Sequence, residues 1–180
     1  MTSIETARLI LRPFVLEDVD ALHAAVYGDP DAMRFIPPGF PRPLEKTRSV
    51  VEFFIDQAER NGYSAWAMTL KDSSELIGQC GLGWLPEIKQ TEVLYALGKA
   101  HWGKGFATEG AQASLRYGFS TVGLGKIVAL AHVDNIASQR VMQKLGMTYR
   151  RTIELWSMKL KMFAIPRDKF RTGDSPYRLR

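Results

Sequence analysis

The chain has 180 residues, 46% hydrophobic and 24% charged, a balance that excludes a disordered or fibrous protein and suits one domain with its own core. A single cysteine, Cys80, excludes an intrachain disulfide, and no 18-residue apolar run or signal-peptide pattern is present, so a cytoplasmic protein that does not enter the membrane is expected. The net charge of +5 sits mainly at one end, where residues 161–180 hold six Lys/Arg against two Asp/Glu; this reads as a basic tail (171–180 at its tip) that is solvated or meets an acidic partner or RNA, though no interleaving of aromatic and basic residues supports nucleic acid.

Residues 8–12, RLILR, have the pattern of a short strand. Glu17 and Asp18 then open a helix with Val19, Leu22 and Val26 along one side, acids being favoured at a helix N-terminus. Four prolines and one glycine in 36–43, IPPGFPRP, require a loop. A second helix presents Val50, Val51, Phe54, Ile55 and Ala58 on one face and stops before Gly62. Three strands at 64–70, 75–84 and 91–98, separated by short turn segments, predict an antiparallel meander, with Trp66, Cys80 and Trp84 in the core. A helix with Ala107, Ala111, Leu115 and Phe119 at i, i+4 spacing follows, then a fully apolar strand from Ile127 to Ala131. Asp134 and Asn135 open a further helix ended by Gly146, and strands near 147–154 and 156–165 complete the pattern. The order β-α-α-β-β-β-α-β-α-β-β predicts an α/β fold with a mixed sheet and helices on both sides, in a single domain over 1–180.

The segment His101–Glu109, HWGKGFATE, places two glycines between a strand and a helix. Helix N-termini carry unpaired N–H groups and partial positive charge, and glycine lets a ligand approach the main chain, so this is a device for holding phosphate or a tight turn. The GxxxxGK[ST] loop of nucleotide triphosphatases is absent. The dinucleotide pattern GxGxxG fails too, because Thr108 stands where the last glycine belongs and no βαβ unit begins the chain.

WGKGFATEG at 102–110 resembles the acyl-CoA pyrophosphate loop of the GNAT superfamily of N-acetyltransferases, written Gln/Arg-x-x-Gly-x-Gly/Ala. Gly105 and Ala107 occupy its last fixed positions, and Trp102 replaces the Gln/Arg, a departure common in the branch that acetylates ribosomal-protein N-termini. Asn135-Ile-Ala-Ser138 with Lys144-Leu-Gly-Met147, the opening ETARLILRPF and the closing FAIPRDKF resemble the same branch. The resemblance implies a GNAT-like fold and transfer of acetyl from acetyl-CoA to a primary amine in a ternary complex. The amine it favours is a protein or peptide N-terminus; relatives also acetylate amino acids, polyamines and antibiotics. Trp102, Gly103, Lys104, Gly105, Phe106, Ala107 and Thr108 would hold the CoA pyrophosphate, with Asn135 and Ser138 beside the CoA. Main-chain groups near Ala96 and Leu97 would bind the pantetheine arm and polarise the thioester carbonyl. The loop 36–43 would form one wall of the acceptor groove. Dimers are frequent in the family, which makes a homodimer one option.

Glu92 matches the strand position of the branch's acidic base, or is only a polar residue at a strand start. An α-amine near pKa 8 costs about 1 kcal/mol to deprotonate at pH 7, against roughly 4 to 5 for lysine, so a terminal amine asks less of that base. Ser138 is the candidate acid for the departing thiolate; alternatively Asn135 and Ser138 merely cap a helix. His23, His101 and His132 lack metal-ligand spacing, so no metal is expected. Two other classes stay open: a CoA-binding regulatory module with little turnover, which would keep the loop but not need Glu92 or Ser138, and an RNA-binding accessory protein using the tail.

Overall fold

Leu9 and Leu11 are buried while Ile10 and Arg12 are half-buried, the period of two that a strand imposes. In the computed structural model, which describes residues 1–180, these residues belong to a sheet of nine strands. The strands are β1 (Ile4–Glu5), β2 (Leu9–Arg12), β3 (Ala65–Leu70), β4 (Leu76–Leu85), β5 (Gln90–Leu97), β6 (Lys126–His132), β7 (Thr148–Leu155), β8 (Met158–Pro166) and β9 (Arg178–Leu179). The helices are α1 (Val19–Leu22), α2 (Pro30–Met33), α3 (Leu44–Asn61), α4 (Phe106–Tyr117) and α5 (Ile136–Lys144). The sheet order is β7-β8-β6-β5-β4-β3-β2-β1-β9. Every neighbouring pair is antiparallel except β5 and β6, whose parallel alignment needs a crossover that α4 supplies.

Side-chain alternation divides the core between two faces. Trp66 and Met68 of β3 join Leu82, Leu115 and Met142 under α4 and α5. Ala65 and Ala67, on the opposite face, meet Leu22, Val26, Val51 and Phe54 of the α1–α3 layer. The same alternation in β5 sends Val93, Tyr95 and Leu97 toward the first core and Leu94 and Ala96 toward the second. The mixed sheet with helices on both sides is therefore the predicted one.

The structure adds β1, α2 and β9, elements too short to carry a periodicity. Glu17 and Asp18 do open a helical turn, and Asp18 gains a partner that the sequence did not show: it is 6% exposed and gripped by Arg12 through bonds of 2.6 and 2.8 Å, while accepting the Val15 N–H at 3.0 Å. A guanidinium from a neighbouring strand satisfies it better than a helix dipole would. Trp84 is 42% exposed beside the β4–β5 turn, whereas Trp66 is fully buried; cover near a strand end comes from other elements, which the strand's own pattern does not encode. The basic tail is exposed to water, as expected, but it also folds back along the sheet edge. Leu179 pairs with Ile4, Arg180 meets the Glu5 carboxylate, and Gln112 donates to the carbonyls of Arg171 and Thr172.

Candidate active site

β5 and β6 pair at a single register position, Glu92 with Val128, and diverge beyond it. The opening lies toward the C-terminal ends of both strands, where α4 and α5 begin. Along β5, Gly98 N–H bonds to Ile77 O, and the Ala96 carbonyl lies against Gly78, so the main-chain groups of Ala96 face β4. Those of Tyr95 and Leu97 alternate toward the opening. The Leu97 carbonyl already accepts the Trp102 indole N–H at 2.8 Å. Of the two residues that the sequence singles out in this strand, Leu97 thus turns main-chain groups into the gap, and Ala96 lines it without doing so. Tyr95 is the main-chain position that sequence reasoning missed.

The loop before α4 follows from its glycines. Gly103 and Gly105 have φ of +72° and +84°, a region other residues occupy at a cost, and Gly105 is the N-cap residue of α4. No side chain caps this end. The backbone N–H groups of Gly103 to Thr108 form no hydrogen bond within the chain, the first helical bond being Glu109 N–H to Gly105 O. Six adjacent donors at a helix N-terminus form an anion cradle. They border a cavity of about 400 Å³ lined also by Trp102, Phe106 and Ala107 on one side and by Ala137, Arg140 and Lys144 of α5 on the other. Lys104 does not line the cavity, and its carbonyl accepts from Arg8 at 2.9 Å. The basic side chains at the cavity are instead Arg140 and Lys144, four residues apart and thus on one face of α5.

An unanticipated clamp holds the loop. Glu109 in the first turn of α4 accepts from Arg8 Nε and Thr6 Oγ1 at 2.7 Å each and from Arg8 N–H at 2.8 Å. The Arg8 guanidinium lies 4.4 Å from the ring centre of Phe106. The motif segments ETARL and WGKGFATEG, distant in sequence, are thus two halves of one contact.

Ser138 and Asn135 resolve into separate roles. Asn135 is the N-cap of α5, and its side-chain oxygen accepts the backbone N–H of Ser138 at 3.1 Å. The Ser138 hydroxyl plays no part in that cap. It lies 2.9 Å from the Tyr95 hydroxyl, which also donates to the Ser138 carbonyl at 3.1 Å. Burial raises the pKa of Tyr95, so this phenol keeps its proton at neutral pH.

A second cavity of about 370 Å³ opens on the other side of β5, lined by Glu92, Leu94, Gln79, His132, Arg42 and Pro37 among others. The loop 36–43 supplies one wall, and the Phe35 ring stacks on His132 at 5.3 Å between centres. The Glu92 carboxyl forms no hydrogen bond within the chain. Its removal from bulk water, with the nearby Glu87 charge, pushes its pKa up to about 8. The two cavities share Phe35, Ile36, Tyr95, Ala96, Asn135 and Ser138, so they meet at the split in the sheet. Cys80, by contrast, is fully buried against Ser114, and its thiol is pushed up to about 12. It is inert as a nucleophile. No helix is long and apolar enough to cross a membrane.

A split sheet with an anion cradle beside it is the architecture of acyl-CoA acyltransferases, and comparison with known proteins gives the same answer. Residues 8–148 match the acetyltransferase (GNAT) domain family, and the chain belongs to it. It is an acyl-CoA-dependent N-acetyltransferase, in a family that uses acetyl-CoA as co-substrate and transfers acetyl to an amine. YkkB of Bacillus subtilis (strain 168) is 34% identical over 164 residues, covering 90% of this chain and 94% of that protein. A GNAT-family acetyltransferase from Bacillus anthracis superposes with a TM-score of 0.80 at 27% identity, covering 92% of this chain and 99% of the other. RimL, a ribosomal L7/L12 α-N-protein acetyltransferase in complex with coenzyme A, shares the fold with a TM-score of 0.75 at 22% identity, over 90% of this chain and 98% of RimL.

Proposed function

We propose that the protein acetylates an α-amino group, as at a peptide N-terminus, by direct attack on acetyl-CoA in a ternary complex. The meeting of the two cavities at Tyr95, Asn135 and Ser138 carries this reading, because it lets a donor and an acceptor be present together. The CoA pyrophosphate rests on the N–H groups of Gly103 to Thr108, with Arg140 and Lys144 adding charge. The pantetheine arm runs along the open main chain of β5, whose N–H groups stabilise negative charge on the thioester oxygen.

The amine nitrogen forms a bond to the acetyl carbon, the carbon–sulfur bond breaks, and the nitrogen loses a proton while the thiolate gains one. Glu92 takes the nitrogen's proton, directly or through a water. A base near pKa 8 matches an α-amine of similar pKa and exchanges protons with it at little cost. On the opposite face, the Ser138 hydroxyl turns its proton from the Tyr95 oxygen toward the departing sulfur, while the Tyr95 proton stays on the Ser138 carbonyl. Ser138 is the member that the sequence singles out, and Tyr95 orients it.

Release of CoA from acetyl-CoA, measured against a panel of N-terminal peptides, amino acids and polyamines, tests this reading. Saturating acetylation of at least one amine is expected, with intersecting double-reciprocal plots. Parallel plots would replace the ternary complex with a covalent route. Binding of CoA with no transfer to any amine would favour a regulatory module.

A further inference from the structure

Outside the groups given roles above, the acceptor cavity holds one permanently charged side chain, Arg42. Its guanidinium donates to the Pro37 carbonyl at 2.5 Å and lies 5.3 Å from the Tyr27 ring centre. It joins no ion pair, and its Nε–H is buried without a partner. A guanidinium offers five N–H donors in a planar fork, so most of them are unused here. An unpaired cation in a half-enclosed, largely apolar cavity is costly unless an anion arrives to meet it.

Gln79, only 6% exposed, lines the same cavity. Its side-chain oxygen accepts the Tyr27 hydroxyl at 3.0 Å, which leaves its NH₂ group as a donor with no partner in the chain. The other titratable groups on these walls are Glu92, Tyr95 and His132. None of them hydrogen-bonds or ion-pairs with Arg42, whose one side-chain bond in the chain goes to the Pro37 carbonyl, so the guanidinium has no counter-charge within bonding distance. The neighbouring cavity's cations, Arg140 and Lys144, lie across the split and serve the pyrophosphate side.

We propose that the acceptor amine carries its own carboxylate, received by the Arg42 guanidinium and the Gln79 NH₂ while the amine faces Glu92. This rests on the acetyl-transfer reading and narrows it. The shared chemistry is a primary amine with a carboxylate a few bonds away. It has two sources: the α-carboxylate of a free amino acid, or the acidic side chain of a peptide's first residue.

The test is the rate of CoA release with matched acceptor pairs: free L-amino acids against their α-carboxamides, and peptides beginning with Glu or Asp against the same peptides beginning with Gln or Asn. In at least one set the carboxylate should raise kcat/KM by about 10- to 100-fold, mostly through KM, the scale of a charge-assisted hydrogen bond. Which set responds identifies the source. Arg42→Gln should abolish the preference while leaving KM for acetyl-CoA unchanged, and Arg42→Lys should restore part of it. Equal rates within both sets, or a preference that survives Arg42→Gln, would overturn the proposal while leaving acetyl transfer standing. Transfer to no amine at all would overturn both. Should Arg42→Gln fail to fold because its bond to Pro37 is needed, the matched pairs on the unaltered protein still decide.

Discussion

Glu92 owes its raised pKa to position rather than identity. At a solvated strand end it would ionise near 4.5, but beside the split sheet its pKa is about 8. Glu92→Gln should lower kcat about 100-fold or more and remove the pH dependence of kcat centred near 8. Unchanged kcat from pH 6 to 9 would take Glu92 out of the mechanism. Stability carries a second signature. The folded protein holds this proton more tightly than the unfolded chain, so the stability it confers is full below about pH 4.5 and is lost as pH rises through about 8. Gln mimics the protonated form, so melting curves should show the variant gaining on the parent between pH 5 and pH 9, by up to about 4 kcal/mol. For Ser138 the structure separates two roles that its sequence spacing conflates. Ser138→Ala keeps the α5 cap, which uses the Ser138 backbone, and should lower turnover with little change in melting temperature. Asn135→Ala should lose about 1 kcal/mol of stability.

Among the elements, α4 and its preceding loop act as one unit. Their conformation depends on Gly105, and their position on the Glu109 contacts with Thr6 and Arg8. Gly105→Ala places a Cβ at φ +84° and should raise KM for acetyl-CoA about tenfold, with a stability loss of about 1–3 kcal/mol. Glu109→Ala leaves Thr6 and Arg8 without their acceptor, at a cost of about 1–3 kcal/mol, and should also weaken CoA binding. Equilibrium titration with CoA separates the two effects from any change in chemistry. Helices α3 and α5 and strands β3 to β8 were legible in the sequence because each carries its own periodicity or breaker residues. The α1 region was less so: its helical run changes pitch, with a 3₁₀ turn at Leu16–Asp18 and a π turn at His23–Tyr27 on either side of α1. Asp18 is buried there by a partner, Arg12, on another element.

On the scale of the whole molecule, the C-terminal segment closes one edge of the sheet, with β9 on β1, Arg180 on Glu5 and the Tyr177 ring under Arg116. Deleting 171–180 should lower the melting temperature by several degrees, about 2–4 °C per kcal/mol for a domain of this size, and should leave KM for acetyl-CoA within a few-fold. Calorimetry of the truncated and full chains checks this; an unchanged melting temperature would show that the tail's edge contacts add no stability. CoA at 100 times its Kd should add about 2.7 kcal/mol to the stability of the full chain.

Sequence alone determined the local features of the glycine loop and the helix starts beside it. The glycine spacing, the helix that follows and the Asn135–Ser138 segment are local features, and phosphate recognition by backbone needs little more than a local turn at a helix start. The tertiary structure alone decided the rest: that Ala96 turns its main chain to β4 while Tyr95 faces the gap, that Tyr95 meets Ser138, that Arg8 holds Glu109, and that Arg42 enters the cavity beside Glu92 without a counter-ion. Each of these depends on strand pairing or on contacts between residues tens of positions apart. No periodicity or spacing within one segment can record such contacts, because the free energy that selects them belongs to the packed sheet and not to any stretch of chain.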